Sequence, residues 1–102
     1  MTKSTTTTDL RRILKSRKVK ESYTILRVLS GITRFKIVLI LNYRERGLTV
    51  SEIASVLDMS LPSVSHQLKI LRKHKVVTGR GMNREVVYAL NNHHLRKILS
   101  FS

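Results

Sequence analysis

Residues 60–73, SLPSVSHQLKILRK, hold hydroxyls, an imidazole, an amide and ammonium groups, but no carboxylate. Such groups exchange hydrogen bonds with base edges and neutralise phosphate, whereas an Asp or Glu among them would repel it. The bias continues downstream. From Lys69 to Arg84 there are six basic residues (Lys69, Arg72, Lys73, Lys75, Arg80 and Arg84) and no acidic one. In a helix each residue steps ~100° around the axis. Val64, Leu68 and Leu71 then share one face, with Ile70 at its flank. Pro62, Ser65, His66, Lys69 and Lys73 point the other way, with Ser63 and Gln67 at the margins. Taken alone, a basic helix face also fits an ordinary solvated surface.

Other chemistries are poorly served. The absence of Cys removes disulfides, thiolate metal sites and thiol nucleophiles. The carboxylates are Asp9, Glu21, Glu45, Glu52, Asp58 and Glu85, scattered and unpaired in sequence. With no Gly-rich phosphate loop and no nucleophilic-Ser motif, an enzyme is not expected, and neither is a cofactor.

A chain of 102 residues suits one domain, and 41% hydrophobic with 25% charged residues suits a globular one. Lys and Arg number 20 against 6 Asp and Glu, a net charge of +14. Self-repulsion of that size points to a polyanionic partner. No apolar run reaches the ~18–20 residues of a membrane span, and no apolar core follows the basic N-terminal residues as in a secretory signal. A soluble intracellular chain with no membrane partner is expected.

The elements that position the polar face follow from periodicity and caps. Residues 1–8, MTKSTTTT, read as a disordered tail, leaving 9–102 as the single domain. Asp9 suits a helix cap, and Leu10, Ile13 and Leu14 fall on one face; apolar spacing resumes at Tyr23, Leu26 and Leu29, in one bent helix or two. Residues 32–46 predict a buried helix stopped by Gly47, with Arg44 and Arg46 at its end. Thr49-Val50-Ser51-Glu52 is a capping box that opens a short helix with Ile53, Val56 and Leu57 inward. After the turn Asp58-Met59, Ser60 caps the next helix, and Pro62 falls in its first turn. Val76-Val77-Thr78 and residues 85–90 predict two strands around a turn at residues 79–84. Asn91 or Asn92 caps a last helix carrying Leu95, Ile98 and Leu99, and His74 reads as plain surface.

Two short helices joined by a tight turn and followed by a basic hairpin make a winged helix-turn-helix, mainly α with a two-stranded wing and about five helices. Its second helix suits a major groove about 12 Å wide, and its hairpin tip reaches the flanking backbone. Double-stranded DNA is therefore the expected partner, with Arg80 and Arg84 as backbone contacts. The basic excess between Met1 and Ser22 fits a solvated helix face, the back of a dimer-facing helix, or an extra DNA-contacting arm.

Four runs extend this reading: LSGITRFKI at 29–37, LTVSEIA at 48–54, SLPSVSHQLKIL at 60–71 and VVYAL at 86–90. Together they resemble the arsenic-repressor-type (ArsR/SmtB) family of transcription factors. The resemblance implies a homodimeric, prokaryotic, cytoplasmic repressor whose recognition helix is residues 60–73, with His66 among its DNA contacts. It also implies a dimer interface on the first and last helices, here Leu10, Ile13, Leu14, Leu95, Ile98 and Leu99. The family's metal-sensing ligands are not matched. Thr49 and Ser51 stand where many members have Cys, and Asn92-His93-His94 matches an Asp-x-His pair only at His94. No metal site is expected, and no effector is identified. A non-specific architectural DNA-binding protein of the same fold is the alternative.

Overall fold

A computed structural model describes residues 4–99, with Ile98 and Leu99 described by backbone only. Their expected role at a dimer seam lies outside the described side chains. The element order is α1 (Thr7–Leu14), α2 (Arg17–Leu29), α3 (Ile32–Asn42), β1 (Leu48–Thr49), α4 (Val50–Leu57), α5 (Leu61–Lys73), β2 (Val77–Met82), β3 (Glu85–Leu90) and α6 (Asn92–Leu99).

The first helix begins earlier than its apolar pattern suggests. Thr6, not Asp9, is the N-cap; its hydroxyl accepts the Asp9 N–H at 3.1 Å, and Asp9 accepts the Thr6 N–H at 3.2 Å. Thr7 and Thr8 are therefore helical, not part of a tail. The capping box satisfies two backbone donors and outweighs the modest helix propensity of Thr. A break at Lys15-Ser16 makes α1 and α2 separate helices, and α1 buries none of its side chains. The molecule is 53 Å long and about 22 Å across, with a radius of gyration of 16.6 Å. A compact domain of this length has about 13 Å.

The core joins α2 through β3: Ile25, Val28, Ile37, Leu41, Ile53, Ala54, Val64, Leu68, Leu71, Val76, Val77 and Tyr88 are all buried. The face of α2 that enters it is Ser22, Ile25 and Val28, leaving Tyr23 and Leu26 exposed, contrary to the sequence pattern. Two apolar spacings run along α2, and periodicity alone does not choose between them. In α4, Ala54 rather than Val56 joins Ile53 inside; Val56 is 62% exposed. Leu95 packs partly against the core of its own chain.

The helix α3 stops at Asn42, short of Arg46, and the chain reverses through Gly47 at φ +90°. A Cβ on Gly47 would collide with the Tyr88 carbonyl oxygen and lie 2.8 Å from Val87 Cγ1. That close approach lets Leu48 and Thr49 pair with Tyr88 and Val87 as a third strand, absent from the sequence reading. The sheet is antiparallel throughout, in order β1-β3-β2. The wing is also tighter than expected. Residues 79–82 are paired strand, with Gly79 opposite Tyr88 and Met82 opposite Glu85. Only Asn83 and Arg84 form the loop, at φ +48° and +69°. Two central residues with positive φ match the strand twist in a two-residue hairpin.

Candidate nucleic-acid interface

The helix-turn-helix is built by two caps and the reversal between them. Thr49 Oγ1 accepts the Glu52 N–H at 3.2 Å, and Glu52 Oε1 accepts the Thr49 N–H at 3.0 Å, forming the capping box read from sequence. That backbone bond, helped by the Thr49 hydroxyl and the Arg44 guanidinium 4.0 Å away, holds the Glu52 carboxyl below its usual range against the opposing effect of desolvation. The helix α4 ends on Asp58 at φ +55°, with the Met59 N–H bonded to Ala54 O at 3.0 Å. Asp tolerates the left-handed conformation better than most side chains. Ser60 then caps α5, accepting the Ser63 N–H at 3.3 Å and donating its own proton to Ser63 Oγ at 2.8 Å.

With Val64, Leu68 and Leu71 buried, α5 has one fixed orientation. Pro62, Ser63, His66, Lys69 and Lys73 are exposed, as their spacing predicts. Ser65 is half-buried. It lines an open cleft of about 270 Å³ between the start of α4, the helix α5 and the β3 side of the wing, shared with Thr49, Ser51, Arg84 and Glu85. The cleft brings Ser65 and the wing-tip residue Arg84 to one place. Arg80 lies in paired strand opposite Val87, and both Arg80 and Arg84 are exposed. Arg84 occupies a loop position where Gly is usual, since a Cβ is disfavoured at positive φ.

Gln67 has a different environment from the other polar residues of α5. Its Oε1 accepts a hydrogen bond from Arg34 Nη1 at 3.0 Å, and Arg34 Nε donates to Val28 O at 2.7 Å. The Oε1 of Gln67, a residue expected at the margin of the DNA-contacting face, is thus engaged by α3. Arg34 was missed as a structural residue. Its signal was a cation in the first turn of α3, where the helix dipole disfavours one. It is compensated by reaching back to a carbonyl at the end of α2, where a cation is favoured. His74 is also more than surface: it is half-buried at the C-cap of α5. Among the described residues no three His, Asp or Glu side chains converge as a metal site would require. No helix among them is long and apolar enough to cross a membrane.

The geometry defines a winged helix-turn-helix: a helix pair set by its turn, an outward second helix, and a hairpin beside it. The comparisons agree. A family model described as a helix-turn-helix domain matches residues 32–80. The chain is 44% identical over 75 residues to the HTH-type transcriptional repressor SmtB of Mycobacterium tuberculosis, covering 74% of this chain and 54% of that protein. It is 31% identical over 67 residues to the HTH-type transcriptional regulator NmtR of the same organism, covering 66% and 56%. The chain thus spans about half the length of the curated relatives it matches. In fold it superposes on the transcriptional regulator HlyU of Vibrio vulnificus with a TM-score of 0.72 at 23% identity, over 85% of this chain and 88% of that one. It also superposes on the transcriptional repressor BigR of Xylella fastidiosa with a TM-score of 0.69 at 23% identity, over 90% and 98%. These likenesses support an ArsR/SmtB-type winged helix-turn-helix regulator, and the relatives named here are transcriptional regulators.

Proposed function

We propose that this chain is a homodimeric, sequence-specific DNA-binding repressor that works without the family's metal ligands. The observation that carries the reading is the outer face of α5 together with Arg84. Hydroxyl, imidazole and ammonium groups stand on a rigid helix about 20 Å long, with no carboxylate among them, and a cation stands at the tip of the adjacent hairpin. Ser63, Ser65 and His66 supply base contacts; Lys69, Lys73, Arg80 and Arg84 neutralise phosphates, with Pro62 where α5 enters the groove. The names of the repressor relatives support the same class of activity.

The dimer reading rests on α1. Leu10, Ile13 and Leu14 are exposed on a helix that buries nothing within the chain. A two-fold partner covering that face would set two α5 helices one DNA turn, ~34 Å, apart and demand a pseudo-palindromic operator. Repression follows by occlusion of a promoter. Selection of bound duplexes from a random pool tests specificity, symmetry and half-site spacing together; recovery of one palindrome is expected, and recovery of unrelated sequences defeats the proposal. The charge of +14 favours a second reading, a protein that coats DNA without preference. Uniform protection in a footprint would select it.

A further inference from the structure

We propose that the cleft between α2, the α5–β2 turn and α6 binds a small phosphorylated molecule, with its phosphate on Lys20, Lys75 and Lys97. The cleft measures about 460 Å³, within the range of ligand sites, and these three lysines line it together with His74 and His94. They come from segments far apart in sequence, so only the tertiary fold assembles them. Among the described residues no carboxylate lies within ion-pair distance of any of the three lysines, although Glu21 stands at the same cleft. Convergent cations without counter-charge repel one another, and an anion relieves that repulsion. Ile25 adds an apolar wall against which a compact organic group would rest.

The backbone at Lys75 supports this assignment independently. The helix α5 ends with the Val76 N–H bonded to Leu71 O at 2.9 Å and the Lys75 N–H to Arg72 O at 3.0 Å. In that motif the intervening residue is left-handed and usually Gly. Here Lys75 holds φ +61°, a conformation that costs about 1 kcal/mol for a residue with a Cβ. A lysine kept at that cost, beside a cleft that two other lysines also line, points to use of its ammonium group. The proposed base-contacting residues Ser63, Ser65 and His66 lie toward the opposite end of α5, whereas Lys73, a proposed phosphate contact, ends that helix two residues before Lys75. The cleft is assigned to a free phosphate compound because its three lysines come from α2, the α5–β2 turn and α6 and none belongs to the proposed DNA face; the duplex titrations below separate this from a DNA-backbone contact.

Inorganic pyrophosphate is the probe, titrated into the full ¹⁵N-labelled chain at physiological salt and followed by amide chemical shifts. Saturable shifts are expected around Lys75 and His94, with an apparent Kd below about 1 mM. Lys75→Gly removes the charge while placing at the left-handed position the residue that prefers it. It should keep or raise Tm and weaken pyrophosphate binding about tenfold or more. Lys97→Gln should weaken binding in the same direction. Shifts that never saturate, that spread over every basic surface, or that survive unchanged in Lys75→Gly overturn the proposal. Duplex DNA titrations separate the two phosphate sources. Lys75→Gly should bind DNA as the unaltered chain does, and a parallel loss of DNA and pyrophosphate binding would assign the cleft to the DNA backbone instead.

Discussion

Arg34 joins three helices through two hydrogen bonds: it sits in the first turn of α3, donates to Val28 O near the end of α2, and donates to Gln67 Oε1 on α5. The angle at which α5 leaves the body is thereby tied to α2 and α3 by a charge-assisted contact as well as by the apolar core. Arg34→Ala and Gln67→Ala should each destabilise the chain by about 1–2 kcal/mol in urea unfolding. The double variant should lose less than the sum of the two, with a coupling of about 0.5–1.5 kcal/mol. Strict additivity would show that the contact contributes nothing in solution.

The capping box makes a pH-dependent contribution. Glu52 titrates below its usual range in the folded chain, chiefly because its carboxylate accepts the Thr49 N–H. A depressed carboxyl stabilises the fold above its unfolded pKa, and that contribution fades as pH falls through the folded value. The stability gap between the unaltered chain and Glu52→Gln should thus be widest near neutrality and narrow on acidification below the ordinary carboxylate range. Unfolding curves across that range check it, and a gap independent of pH contradicts it. Thr49→Ala should cost about 1 kcal/mol.

Gly47→Ala tests the third strand. The added methyl meets the Tyr88 carbonyl oxygen, and φ +90° strains any residue with a Cβ. A loss of about 2 kcal/mol or more is expected, together with weaker amide-exchange protection where Leu48 pairs with Tyr88. Unaltered protection at Leu48 would mean that the β1 pairing does not depend on this glycine.

The two halves of the proposed interface should fail differently. Arg84→Gly relaxes the backbone at the wing tip and should leave Tm intact or higher. Its DNA affinity should fall alike on specific and scrambled duplexes, with the salt slope reduced by about one unit. His66→Ala should lose more on the specific duplex than on the scrambled one. Gel shifts on both duplexes decide; an equal loss on both for His66→Ala removes it from sequence reading.

The proposed dimer is tested through α1. Ile13→Glu introduces a charge at a site that is 52% exposed within one chain, so the fold should survive. Sedimentation should show a shift from dimer to monomer, with weaker binding to a two-site duplex but not to a half-site. A dimer that persists would place the seam elsewhere.

The sequence by itself determined the local pieces of this protein. Caps at Thr49, Ser60 and Asn91 involve partners three residues away, so their chemistry is written in short windows and appears as read. The inward stripe Val64, Leu68 and Leu71 has only one apolar spacing to follow, which is why the outward residues of α5 were also legible. Only the tertiary structure decided between faces where two spacings compete, burying Ile25 and not Leu26 on α2, and Ala54 and not Val56 on α4. It alone brought Leu48 to Tyr88, turned Gln67 toward Arg34, and gathered Lys20, Lys75 and Lys97 around one cleft. Each of these joins residues more than ten positions apart. Their pairing depends on how the helices pack, and that packing is a property of the whole core rather than of any segment.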